Sequence, residues 1–264
     1  MQWMAHAGYL RYAFVQDCEV IRGRGMLRNC FLIAICCLWA GTASAEMTTL
    51  KSAYGTSFDA YMAGPADAEI GIVIAHDRWG LSGEIKRWAD RYAKQGFRVV
   101  VPDLFDGRPV LQDSMAKMVM AQTDPEWVTA NLHGAIDYLR QKQDSVVTIG
   151  WGYGAKYLYQ IASSNDADIE ALVAFYAMPA GNQKILEHLN TPVLGVFGRR
   201  DPAFGIEKLD EFQRTMLKLR KRLDVTTVNA DSGFVNPRNP SYNAAASEEA
   251  WLAIQRFLKR HLTE

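Results

Sequence analysis

Beyond Cys37 the sequence has no cysteine: Cys18, Cys30, Cys36 and Cys37 all fall within the first 37 of 264 residues. No disulfide and no cysteine-ligated metal can therefore be built within the rest of the chain. There is no excess of either charge, with 29 Lys+Arg against 29 Asp+Glu. This argues against a nucleic-acid-binding surface and against an acidic tail. No apolar run reaches the roughly 18 residues of a spanning helix, which argues against a polytopic membrane protein. Proline is scarce, at nine residues, and Glu46–Glu264 contains neither an internal repeat nor a Gly/Ser- or Pro-rich linker. One domain is the economical reading of that stretch.

The cysteines sit in a targeting pattern. Met26-Leu27-Arg28-Asn29 is a short basic start, Cys30 to Ala40 an apolar core, and Thr42-Ala43-Ser44-Ala45 a small-x-small cleavage site. The expectation is a signal peptide over 26–45, cut after Ala45, and export to the periplasm or the exterior with no stable membrane insertion afterwards. The apolar core is too short to span a bilayer as a helix. Retention of this segment as a tether is the alternative. Asp17 and Glu19 make residues 1–25 an odd n-region, so they read as an upstream extension and Met26 as the better start. Residues 46–264 then form the mature domain, with 25 basic and 27 acidic groups.

Within that domain, short apolar runs alternate with amphipathic segments. The runs are Ile70–Ala75, Arg98–Val101, Val146–Ile149, Ala171–Tyr176, Val193–Phe197 and Val225–Val228. Consecutive apolar, largely β-branched positions fit parallel strands buried on both faces. The intervening stretches Ser82–Gln95, Pro125–Lys142, Ala155–Ser163, Ile206–Lys221 and Ser247–His261 read as helices. The expected fold is α/β, a mostly parallel central sheet with helices on both faces. In such sheets the chemistry lies at the C-terminal ends of the strands.

At those ends stand His76-Asp77-Arg78-Trp79-Gly80-Leu81, Val101-Pro102-Asp103-Leu104-Phe105, Gly150-Trp151-Gly152-Tyr153-Gly154, Phe197-Gly198-Arg199-Arg200-Asp201-Pro202 and Ser232-Gly233-Phe234-Val235-Asn236-Pro237. In this order they resemble segments of the dienelactone hydrolase family, as does Asp124-Pro125-Glu126-Trp127 at the start of a helix. The resemblance covers about Ser57 to Leu262. It implies an α/β-hydrolase fold and a relation to enzymes that cleave esters and lactones with a Cys-His-Asp triad.

The resemblance also marks departures. Gly152 stands where the family has its nucleophilic Cys, Ser232 where it has its His, and Asp77 where it usually has Glu; Asp201 is the retained triad acid. The backbone N–H groups of Tyr153 and Arg78 fall where the family forms its oxyanion hole. Asp77, Arg78, Trp79, Tyr153 and Ser232 are the expected ligand contacts. Trp151, Phe204 and Tyr242 are further aromatic candidates for the pocket, and Arg199 and Arg200 add charge at its rim.

Substitutes for the missing groups are weak. Ser82, Tyr153 and Ser232 are hydroxyls without an evident base. His133 and His261 fall in helices, His188 lies toward the wrong end of the sheet, and His76 is expected to be structural. No metal-binding spacing is present and no cofactor is implied. The expected function is that of an exported family member that has lost covalent catalysis and binds a small carbonyl or carboxylate ligand, or a protein partner, without turnover. The alternative is a residual ester or lactone hydrolase working by a non-triad route around Asp201.

Overall fold

The computed structural model describes residues 45–164, 168–179 and 183–262. Of the targeting segment expected over 26–45, all but Ala45 lies outside the described residues. Among the described residues eight strands form a single sheet: β1 (Glu46–Lys51), β2 (Ser57–Ala63), β3 (Ile70–Ala75), β4 (Arg98–Pro102), β5 (Ser145–Trp151), β6 (Ala171–Phe175), β7 (Val193–Gly198) and β8 (Leu223–Val228). Their order across the sheet is β1-β2-β4-β3-β5-β6-β7-β8. From β4 to β8 every pairing is parallel, while β1 and β2 join antiparallel at one edge.

Among the described residues seven α-helices accompany them: α1 (Gly83–Ala93), α2 (Asp113–Gln122), α3 (Pro125–Arg140), α4 (Tyr153–Ala162), α5 (Gln183–His188), α6 (Ile206–Lys218) and α7 (Ala244–Leu262). The strand period of two divides the apolar runs between two cores. On one face Ile72, Ile74, Val147, Ile149 and Val173 pack under α1 and α7 through Trp88, Trp251 and Phe257. On the other Val73, Val100, Val146 and Leu172 meet α3, α4 and α6 through Leu132, Leu158 and Phe212. Helices on both faces of a mostly parallel sheet are what the alternating sequence pattern implies.

The helix starts follow local chemistry. Ser82 caps α1, its Oγ accepting the Ile85 N–H at 3.4 Å, and Asp124 caps α3 ahead of Pro125 by accepting the Glu126 N–H at 2.9 Å. Ser82 is therefore placed as a helix cap. Beneath the turn into α4, Trp151 is buried and stacks on Phe175 at 4.9 Å, with Trp88 edge-on at 5.4 Å. Each such ring pair contributes about 0.5–1.5 kcal/mol. This cluster anchors the residue immediately before Gly152.

Candidate functional site

The candidate residues stand at the C-terminal ends of five strands, β3, β5, β6, β7 and β8. At the end of β3, His76 is fully buried, its Nε2 accepts the Leu104 N–H at 2.9 Å, and its Nδ1 lies 2.8 Å from the Asp77 carbonyl oxygen. An Nε2 that accepts carries no proton, so Nδ1–H donates to Asp77 and the ring is neutral. Burial lowers its pKa in spite of the Asp103 carboxylate 3.9 Å away. With both nitrogens engaged, His76 ties β3 to the loop after β4.

Asp77 turns toward the site. Its Oδ1 accepts the Trp79 N–H at 2.9 Å, and burial pushes its pKa up to about 6 despite this bond and the adjacent Arg78.

At the end of β5 the chain turns through Gly152 with φ 44° and ψ −95° and enters α4. The left-handed φ strains any side-chain-bearing residue, and glycine adopts it freely. A Cβ placed on Gly152 would meet nothing within 4 Å, so the space above the turn is open. Two residues on, Gly154 packs directly against β3, and a Cβ there would lie 2.5 Å from the Ala75 carbonyl oxygen. The Tyr153 N–H belongs to the first residue of α4 and the Arg78 N–H to the loop after β3. Neither donates a hydrogen bond among the described residues.

After β7, Asp201 is buried; its Oδ1 accepts the Ala203 N–H at 2.9 Å, and its Oδ2 is buried with no hydrogen-bond partner among the described residues. Leaving a buried polar atom unpaired costs roughly 1–3 kcal/mol. Ser232, in the loop after β8, is exposed.

Next to these residues stands Tyr176, which no motif in the sequence singles out. It follows β6 with φ 51°, unusual for a bulky residue, and its hydroxyl oxygen accepts the Val235 N–H at 3.3 Å. Burial is the main cause raising its pKa well above the ordinary phenol value, with Asp77 and Asp201 both adding to the rise through space.

A cleft of about 500 Å³ opens beside this cluster. Trp79, Arg78, Asp113, Asn236 and Arg238 line it, with the buried Glu84 at its floor. Arg78 pairs with Asp113 at 2.7 Å and lies over the Trp79 ring. Glu84 pairs with Arg87 and stands 3.7 Å from the Arg238 Nε. Glu84 and Asn236 also border a narrow inner recess with Asp77 and Trp151. The Trp151 indole N–H is buried without a partner among the described residues.

The other aromatic candidates lie apart. Phe204 lines a separate groove with Phe197 and Leu209, and Tyr242 is 43% exposed. Arg199 reaches Thr227, and Arg200 reaches Asn229 and Asp231. Among the other histidines, His188 is exposed at the end of α5 with its Nδ1 2.8 Å from the Lys184 carbonyl oxygen. Among the described residues no three His, Cys, Asp or Glu side chains gather as a metal site.

The sheet order, the left-handed turn from β5 into α4 and the strand-end cluster define an α/β-hydrolase fold. Residues 58–262 match the model of the dienelactone hydrolase family. The chain belongs to that family. It is 22% identical over 247 residues to a protein of Saccharolobus solfataricus named "Putative carboxymethylenebutenolidase", covering 78% of this chain and 95% of the relative. Among solved structures it resembles a dienelactone hydrolase-like promiscuous phosphotriesterase from metagenomic libraries, with a TM-score of 0.69, 20% identity, and 83% of this chain and 99% of that one covered. A Pyrococcus furiosus esterase matches with a TM-score of 0.65 and 14% identity over 84% of this chain and 92% of that one. At such identities the likeness is one of fold.

Proposed function

We propose that this protein is an exported member of the family that has lost the Cys and His of the triad and holds a small carbonyl or carboxylate ligand without hydrolysing it. The observation that carries this reading is the open space above Gly152, where a turn of nucleophile-elbow shape presents no side chain. Two further features support it. Asp201 keeps a buried, unpartnered Oδ2, as expected of a triad acid whose histidine is gone, and Ser232 provides no imidazole in its place. The Tyr153 and Arg78 N–H groups remain as donors for an oxygen anion, because backbone donors do not depend on side-chain identity.

The experiment is a melting-temperature screen against small carboxylates and keto acids, run beside hydrolysis of small aryl esters. A ligand at 100 times its Kd adds roughly 2.7 kcal/mol of stability. Raised melting temperatures without saturable ester turnover support the reading. Saturable turnover abolished by Asp201→Asn would support the second reading instead, water-mediated hydrolysis around Asp201, whose Oδ2 is buried and unpartnered among the described residues.

Export has its own test. The small-x-small site ends at Ala45 and β1 begins at Glu46, so cleavage there leaves the described fold whole. Sequencing the N-terminus of protein from the cell envelope is expected to read Glu46 onward; Met26 or an earlier residue would overturn the cleavage.

A further inference from the structure

We propose that the cleft beside the strand ends binds an aromatic carboxylate, with its ring laid against the Trp79 indole and its carboxylate held by the Arg238 guanidinium and the side-chain amides of Asn236 and Asn239. All four residues line the same cleft of about 500 Å³, a volume within the usual range of small-molecule sites. Gly152, Tyr153 and Ser232 are not among its lining residues, so an occupant of this cleft is independent of the one proposed above the elbow.

The cleft carries a surplus of positive charge. Glu84 is buried at its floor with both oxygens engaged by Arg87, Oε2 by the Nε–H at 3.1 Å and Oε1 by a terminal nitrogen. Asp113, also in the lining, pairs with Arg78 at 2.7 Å and with Lys117 at 3.1 Å. The two carboxylates are thus answered by three cations before Arg238 is counted. Its side chain is 73% exposed, with Nε 3.7 Å from Glu84, and its terminal nitrogens have no acceptor among the described residues. A guanidinium so disposed fits a carboxylate through two parallel N–H···O bonds. A cationic ligand would meet acids that are already paired.

The loop that carries Arg238 adds donors. The Asn236 Oδ1 accepts the Arg238 N–H and the Asn239 Oδ1 accepts the Ser241 N–H, both at 2.9 Å. With their oxygens so engaged, the two amides keep Nδ2 donors that have no acceptor among the described residues. The apolar part of the lining comes from Trp79, Leu111 and Pro240. Leu111 is 81% exposed, so a ring placed against it leaves the water together with it. The Arg78 guanidinium lies 4.8 Å from the Trp79 ring centre and steadies the indole. A compact space of this volume is roughly 8 Å across, about the span of a benzene ring carrying an acetate arm, so one such ligand meets Trp79 and Arg238 together.

The test is calorimetric titration of the purified protein with phenylacetate, indole-3-acetate, phenylacetamide and acetate. Saturable binding of at least one aryl acid is expected. Phenylacetamide keeps the ring without the charge and acetate keeps the charge without the ring, so each should bind roughly tenfold more weakly or worse. Arg238→Gln and Trp79→Ala should each weaken the aryl acid by roughly tenfold or more. Arg238 is largely exposed, so Arg238→Gln is expected to keep the melting temperature of the unmodified protein. Binding of neither aryl acid, or equal binding by the folded Arg238→Gln variant, overturns the proposal. Pyruvate that raises the melting temperature while neither aryl acid binds refutes the cleft and leaves the elbow reading standing.

Discussion

The Gly154 N–H donates to the His76 carbonyl oxygen at 3.1 Å, closing the seam between α4 and β3 beside the open elbow. His76 in turn receives the Leu104 N–H, so α4, β3 and the loop after β4 are tied through one residue. The site is thus built on backbone contacts that require a glycine at 154 and a neutral imidazole at 76.

Gly154→Ala is expected to destabilise the fold by about 2–3 kcal/mol, the upper part of the range for overpacking. The new methyl would stand 2.5 Å from the Ala75 and 2.6 Å from the His76 carbonyl oxygens, and backbone cannot move aside as a side-chain end can. Chemical denaturation measures the loss; an unchanged midpoint would mean that α4 does not sit this close to β3.

Gly152→Ala tests a different physical effect at the neighbouring turn. Its methyl meets nothing within 4 Å, so the cost is backbone strain alone, about 1–2 kcal/mol. The sign opposes the gain usual for Gly→Ala where the backbone permits it. A stabilised variant would show that the φ of 44° is absent in solution.

Asp77→Asn should raise stability at pH 8 and have no effect in acid. The folded-state pKa of about 6 lies above the ordinary carboxylate value of 3.8, so folding favours the protonated carboxyl. That contribution is complete below pH 4 and is lost as pH rises through 6. A shift of this size corresponds to about 2–3 kcal/mol above both values. An amide still accepts the Trp79 N–H. Urea titrations of both proteins from pH 3.5 to 8 are expected to show a gap that opens between about pH 4 and 6; a gap that narrows with rising pH would reverse the assignment.

Among the described strands, β3 to β7 are legible as apolar runs because a strand covered on both faces is apolar at consecutive positions, while β8, a half-buried edge strand, shows only through its Val225–Val228 run. The strands β1 and β2 escape that signal. They are the two antiparallel strands at one end of the sheet, and Ser57, Asp59 and Thr49 face solvent among buried Phe58, Ala60 and Leu50. The helix α2 escapes because it buries only Ala116 and Val119, and α5 because it has six residues. At the site, glycine turns and strand-end acids are visible as motifs. Tyr176 reads as the last apolar residue of β6, since nothing local announces its left-handed backbone. Glu84 reads as an acidic first-turn residue, while Arg238, which approaches it from far along the chain, can be placed only by the tertiary fold.

On the function proposed above, ester hydrolysis should require both a nucleophile at position 152 and an imidazole at position 232. A thiol introduced by Gly152→Cys without an imidazole keeps a pKa near 8.5 and is mostly protonated at neutral pH. Ser232→His alone supplies a base with no nucleophile to act on. Together they can act as a unit, because the Asp201 Oδ2 has no partner to give up and can accept the ring N–H that orients the base. The side chain at 152 has open space to occupy, at the strain cost already assigned to Gly152→Ala. Groups that work as a unit are strongly non-additive, so the double variant is expected to exceed the product of the two single effects on aryl ester and lactone cleavage. An acyl-enzyme burst in stopped-flow kinetics, with the mass of the acylated protein, would identify the covalent step. If the folded double variant gives neither burst nor turnover above the unmodified chain, the elbow and the loops carrying Asp201 and Ser232 do not converge on one point. The ligand site placed between them would then have to be given up as well.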